Sequence, residues 1–140
     1  MTQPPSTIRL VGKVQGKPRP RFSMAGGYPK AYTPKSAHQY EKWIATEYKR
    51  QGGRFYTGEL KIVIDTFRAM PKSRPKKLVS EPDTYKFDAD NICKSVLDAL
   101  NGIAYKDDTQ VTELHVIKHP RTRMAEEEMY VYVQEIKRTI

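Results

Sequence analysis

The stretch Asn91–Leu100 constrains this chain more than any other, because its residues, with the neighbours Asp90 and Ile103, sort onto two faces of a helix. With Ile92 as zero, Ile103, Val96, Leu100, Cys93 and Leu97 fall in an arc from about 20° to about 140°, with Ala99 just beside it. Asp90, Lys94, Asp98 and Asn91 fall from about 160° to about 260°, away from that arc. Such a helix buries one side in a core and keeps a charged stripe outside it. Asn101-Gly102 closes it, since glycine adopts the left-handed stop cheaply.

The remaining pattern supplies a sheet for that helix to cover. Ile8 and Leu10 alternate within Ser6–Val14, and Leu60, Ile62 and Ile64 alternate with Lys61, Val63 and Asp65 in a strand that reaches about Ala69 and stops at Pro71. Val111–Lys118 and Met129–Lys137 read as two more strands. Thr33-Pro34 fits the start of a first helix, in which Tyr40, Trp43, Ile44 and Tyr48 recur at helical spacing before Gly52-Gly53. Between the first strand and that helix, Gln15–Pro34 is rich in Gly and Pro and predicts an extended, mobile loop. The order β-α-β-α-β-β predicts an α/β sandwich, two helices on a small mixed sheet. At 140 residues the chain has room for one domain, so residues 1–140 are read as a single unit.

Charge narrows the function. The formal net charge is +9, which concentrates polyanions near the surface and makes nucleic acid the first partner to consider. Basic residues gather in two loops, Lys17, Arg19 and Arg21 in one and Arg74, Lys76 and Lys77 in the other, and these are the expected DNA-holding side chains. No apolar run is long enough to span a bilayer and Met1–Gln15 lacks a signal-peptide core, so a soluble, cytoplasmic protein without membrane contact is expected. The lone Cys93 excludes an internal disulfide and has no Cys or His companion at zinc-site spacing. His38, His115 and His119 include an i, i+4 pair, but His115 falls in a predicted strand with no accompanying Glu motif, so no metal role is expected of them. Gly26-Gly27 is followed by no Lys-Ser or Lys-Thr, so no nucleotide cofactor is expected.

Against this basic background stand two acidic groups, Asp88-Ala89-Asp90 at the helix start and Asp107-Asp108 beyond its end. Converging carboxylates would repel phosphates unless a divalent cation sat between them, and hard oxygen donors suit Mg²⁺ or Mn²⁺. An EF-hand does not fit, because Cys93 stands where that loop requires glycine. A plainer reading also stands: aspartate is a favoured helix cap, and Lys106-Asp107-Asp108-Thr109 is an ordinary turn composition.

The joint pattern carries more than its parts. Asp88-Ala89-Asp90-Asn91-Ile92-Cys93-Lys94, then Asp98-Ala99-Leu100, then Asp107-Asp108-Thr109-Gln110-Val111 resembles the signature of the RusA family of Holliday junction resolvases. Lys17-Pro18-Arg19-Pro20-Arg21 and Tyr32-Thr33-Pro34 resemble that family's N-terminal half. The resemblance implies a metal-dependent endodeoxyribonuclease acting on branched DNA, a homodimer that uses Mg²⁺ or Mn²⁺ to place paired, symmetric nicks in recombination and repair. It implies Asp88, Asp90 and Asp108 as metal ligands and Lys94 as the catalytic lysine, with Asn91 in support and Asp107 turned away. Two segments depart from the family pattern, the long loop Met70–Lys86 and the charge run Arg121–Glu128. The alternatives are a nuclease preferring flaps or forks, and a basic nucleic-acid-binding accessory protein whose aspartates only cap and solvate.

Overall fold

The computed structural model describes residues 2–18, 21–23, 25–27, 30–32 and 35–138. Its centre is a four-stranded sheet of β1 (Ser6–Val11), β4 (Leu60–Phe67), β6 (Val111–Lys118) and β8 (Glu128–Glu135), in the spatial order β1-β8-β4-β6. β8 lies antiparallel between β1 and β4, while β4 and β6 run parallel. A parallel pair needs a long crossover, and α2 (Ala89–Leu100) supplies it. α1 (Lys35–Arg50) connects β1 to β4 through a short hairpin, β2 (Arg21–Ser23) with β3 (Lys30–Tyr32), and packs against α2.

The alternation read from the sequence selects the buried face. Ile8 and Leu10 of β1, Leu60, Ile62 and Ile64 of β4, and Met129, Val131 and Val133 of β8 are all essentially inaccessible. Tyr40, Ile44 and Tyr48 of α1 and Ile92, Cys93, Val96, Ala99 and Leu100 of α2 close over them in one cluster. Each large aliphatic so buried is worth about 1.5–3 kcal/mol, and the amphipathic helices have no other place to put that surface. The mixed α/β sandwich with two helices is therefore the observed class.

Several boundaries are corrected. The first strand stops at Val11, three residues early: Gly12 N–H still makes the next rung, to Glu127 O at 2.9 Å, and the chain bends there at φ +149°. Glu127 then holds the departing chain, its carboxylate accepting from Val14 N at 3.0 Å and from Ala69 N at 2.9 Å. Within Gln15–Pro34, β2 and β3 pair, so that segment is not wholly an open loop. The Thr33-Pro34 helix start lies outside the described residues. Met70–Lys86 and Arg121–Glu128, the two departures from the family pattern, meet: β5 (Ser80–Glu81) pairs antiparallel with β7 (Arg121–Thr122). No helix among the described residues is long and apolar enough to cross a membrane.

Candidate active site

The acidic residues are delivered by the two ends of α2. Asp88 occupies the position just before the helix in extended geometry, yet its side chain makes no capping hydrogen bond. It lines a cleft of about 300 Å³ with Lys17, Pro18, Lys86, Phe87 and Asn91. Lys17 N–H donates to Asn91 O at 2.8 Å, which lays the 15–18 strap across the helix start. The approach is close enough that a Cβ on Gly16 would sit 2.7 Å from Phe87 Cβ, so only glycine fits there. Lys86 and Phe87 were not singled out by the sequence, since nothing in their spacing shows that the strap folds back on them.

At the other end, Gly102 with φ +79° reverses the chain and its N–H donates to Tyr105 O at 2.7 Å. Tyr105 is buried beneath the helix and its hydroxyl donates to Leu97 O at 2.6 Å. This return brings Asp107 and Asp108 back beside α2. Asp107 is committed to the turn: its carboxylate accepts from Thr109 N at 3.2 Å in a capping box completed by Gln110. Gln110 uses its whole amide. Its Oε1 accepts from Lys106 N at 2.9 Å and Asp107 N at 3.2 Å, and its Nε2 donates to Tyr56 O and Gly58 O, each at 3.0 Å.

Asp108 is left to face the helix stripe. Partial desolvation, then a hydrogen bond and repulsion from Asp107, then repulsion from Asp98, raise its carboxyl above the ordinary aspartate value, while Lys94 opposes them. The buried Cys93 thiol reports the same crowding. Burial raises its pKa first, followed by the negative fields of Asp90, Asp98 and Asp108. Asp90 and Asp98, about two turns apart on α2, and Asp108 from the returning chain thus share one electrostatic neighbourhood along the polar stripe, with Lys94 between the two helix aspartates. Asp88 is absent from that set and stands at the neighbouring cleft.

Among the described residues, no three His, Cys, Asp or Glu side chains are gathered closely enough to hold a metal ion as they stand. The donors are nevertheless right in kind for a hard cation. Asp88, Asp90 and Asp108 are exposed, and none makes an ion pair with a described residue. Like-charge crowding that raises one carboxyl is also what a divalent cation would relieve.

The expected DNA-holding residues divide into groups. Lys76 and Lys77 are exposed and make no ion pair among the described residues. Lys17 is mostly covered, with Nζ 2.6 Å from Glu41 and 3.0 Å from Asp98. Arg74 is spent on Glu81 at 3.0 Å. Arg19 lies outside the described residues, and Arg21 enters β2. The histidines stay apart from the acidic site, His119 bonded to Asp65 at 2.7 Å and stacked on Phe67, and His115 beside Glu113 at 3.1 Å.

Residues 12–133 match the family model described as "Endodeoxyribonuclease RusA", a span that includes α2 and both acidic groups. The chain belongs to the RusA endodeoxyribonuclease family. It is also 34% identical over 118 residues to "Uncharacterized protein YqaN" of Bacillus subtilis (strain 168), covering 78% of this chain and 83% of that one. Within this RusA-family chain the segments 70–86 and 121–128 are joined in space by the β5–β7 ribbon.

Proposed function

We propose that this chain is a divalent-metal-dependent endodeoxyribonuclease that resolves four-way DNA junctions by paired symmetric nicks. The observation that carries the reading is the polar stripe of α2, Asp90, Lys94 and Asp98, with the Asp108 carboxyl returned to where it feels both Asp98 and Lys94, on a chain of net charge +9. A basic protein that collects phosphates gains nothing from a carboxylate cluster facing them unless a cation joins the two.

Asp88, Asp90 and Asp108 would hold Mg²⁺ or Mn²⁺, after rotation of their exposed side chains, and the ion would supply an activated water and charge neutralisation at the phosphate. Lys94, an exposed ammonium in the same field, stabilises charge that develops on the attacked phosphate, or passes a proton to the leaving oxygen. Asp107 and Gln110 hold the turn from which Asp108 projects. Lys76 and Lys77, with Arg19 and Arg21, hold the DNA arms, while Lys17 and Arg74 act through the carboxylates they neutralise. Phosphate contacts of this type read shape and not sequence. Two nicks related by a two-fold axis need two such sites, so the working unit is a homodimer.

A panel of four-way, three-way, flap and linear substrates tests the reading directly. Paired nicks in the four-way junction, dependent on Mg²⁺ or Mn²⁺ and absent in chelator, are the expected result. Metal-independent cutting, or no cutting of any branched substrate, would sink it, and a preference for flaps or forks would redirect it.

A further inference from the structure

The β5–β7 ribbon ends in a turn that is pinned hard for a surface loop. Arg123 alone ties three of its carbonyls, Nε donating to Leu78 O at 3.2 Å and Nη2 to Arg74 O at 3.1 Å and Pro75 O at 2.7 Å. Within the turn, Arg74 N bonds Pro71 O at 3.2 Å and Leu78 N bonds Pro75 O at 3.0 Å. Glu81 is gripped from both sides, 3.0 Å from Arg74 and 3.0 Å from Arg121, and the Tyr85 ring packs beneath the Arg121 guanidinium at 4.1 Å.

What this rigid turn presents is apolar. Val79 is 74% exposed and Leu78 36% exposed, and Val79 is the most exposed large hydrophobic residue described. Around them Lys72, Lys76 and Lys77 point into solvent and make no ion pair among the described residues. The acidic residues of the same segment are turned inward: Asp83, buried, pairs with Arg68 at 3.3 Å, and Glu81 with Arg74 and Arg121. The outer surface of the turn therefore shows an aliphatic pair inside a purely positive collar.

Resting on the endodeoxyribonuclease reading above, we propose that Leu78 and Val79 form a wedge that packs on the bases uncovered at a DNA branch point, while Lys72, Lys76 and Lys77 take the flanking phosphates. A linear duplex hides its base faces in the stack, so it offers the lysines a partner and the aliphatic pair none. At a branch the last base pairs of each arm are open to an inserted side chain, and aliphatic wedges are a general means of exploiting unstacked steps. The wedge gives the protein a way to prefer branched over linear DNA that does not depend on reading base edges.

The test uses the full chain in chelator, with a four-way junction carrying 2-aminopurine beside the branch and a linear duplex of the same sequence. The double variant Leu78→Ser/Val79→Ser is expected to bind the junction about tenfold more weakly, the loss of roughly one stacking contact. Its duplex affinity should stay within about twofold, since the phosphate contacts that govern nonspecific binding are intact. The 2-aminopurine fluorescence change produced by the wild type should be largely lost. Unchanged thermal melting of the variant shows that the turn is still folded, and Lys76→Ala should weaken junction and duplex alike. Equal junction-to-duplex ratios and equal fluorescence for wild type and double variant would overturn the wedge while leaving the nuclease reading in place. A wild type with no preference for the junction would likewise overturn the wedge, while the nuclease reading stands or falls on cleavage of the branched substrates in Mg²⁺. Anionic phosphatidylglycerol vesicles serve as the remaining arm: vesicle binding lost in the double variant, with junction affinity unchanged, would assign the turn to a lipid surface instead.

Discussion

Lys17 Nζ lies 3.0 Å from Asp98 Oδ2 and 2.6 Å from Glu41 Oε2, joining the 15–18 strap to both helices through one ammonium. Burial works against this charge, but the hydrogen bonds the ammonium donates to Glu41 and then to Asp98 outweigh it and raise the lysine's pKa. A residue that reads in the sequence as one more phosphate-binding lysine is thus an internal counter-ion, and it neutralises Asp98, whose field reaches Asp108.

Lys17→Ala should therefore act on stability before it acts on DNA. It leaves Glu41 and Asp98 unpaired at a half-buried site, between the exposed and buried limits for ion pairs, so a loss of about 1–3 kcal/mol is expected in urea denaturation. Because the folded-state pKa is raised, the contribution is complete below the ordinary lysine value of 10.5 and disappears as pH climbs through the higher folded value. The gap between wild type and variant should be flat at neutral pH and close only in strong alkali. The salt slope of DNA binding should not change. A slope shallower by about one unit would instead make Lys17 a phosphate contact.

The neighbouring aspartates should separate by role. Asp88→Asn, Asp90→Asn and Asp108→Asn keep shape and lose charge, and each should cut branched DNA orders of magnitude more slowly while melting near the wild-type temperature. Lys94→Ala should fail in the same way without rescue by added Mn²⁺. Asp107→Asn should stay within a few-fold, since an asparagine oxygen can still accept from Thr109 N. Asp107→Ala should cost about 1 kcal/mol of stability as a lost cap. Single-turnover rates paired with thermal melts decide this, and a collapse of cleavage in Asp107→Asn would exchange the roles of the two residues.

Much of this arrangement was legible in the residues themselves. The α2 wheel and the alternation of Leu60, Ile62 and Ile64 are local patterns, and local patterns survive folding when one face has a core to meet. The polar stripe placed Asp90, Lys94 and Asp98 together for the same reason. What could not be read was non-local. Glu81 against Arg121, Lys17 against Asp98, and Gln110 against Tyr56 and Gly58 are polar pairings between distant segments, and no periodicity announces them. The β2–β3 and β5–β7 ribbons are two or three residues long, too short for an alternation to show above the charged residues around them. Asp88, a candidate cap in the sequence, leaves the cap unmade, while Asp107, read there only as a turn residue, completes one.

Gln110 offers a test of how tightly the Asp108 turn must be held. Gln110→Leu keeps the volume but deletes four hydrogen bonds, two of them to the carbonyls of Tyr56 and Gly58. A loss of about 2–3 kcal/mol is expected, less than the sum of four bonds because the exposed partners turn to water. Junction affinity in chelator should be preserved while the cleavage rate falls, as befits a residue that positions another. Equal losses in affinity and rate would show that the turn is part of the DNA-binding surface itself.

The last prediction concerns charge and needs no catalysis. If Asp90 and its neighbours face the phosphates, then in chelator they oppose binding, and Asp90→Asn should tighten junction affinity. Unit charges a few ångströms apart near a protein surface repel strongly enough for a gain of roughly several-fold. Adding Mg²⁺ should shrink the difference, because the ion neutralises the wild-type cluster and has less to neutralise in the variant. Lys76→Ala should move the other way, weakening binding with and without metal and lowering the salt slope by up to about one unit. The opposite signs matter, because a general loss of folding would weaken binding in both variants. Fluorescence anisotropy with a labelled junction, in chelator and then in Mg²⁺, measures all four cases. An Asp90→Asn affinity equal to wild type in chelator, beside a weakened Lys76→Ala, would turn the acidic stripe away from the DNA backbone and leave the basic turn as the whole of the nucleic-acid surface.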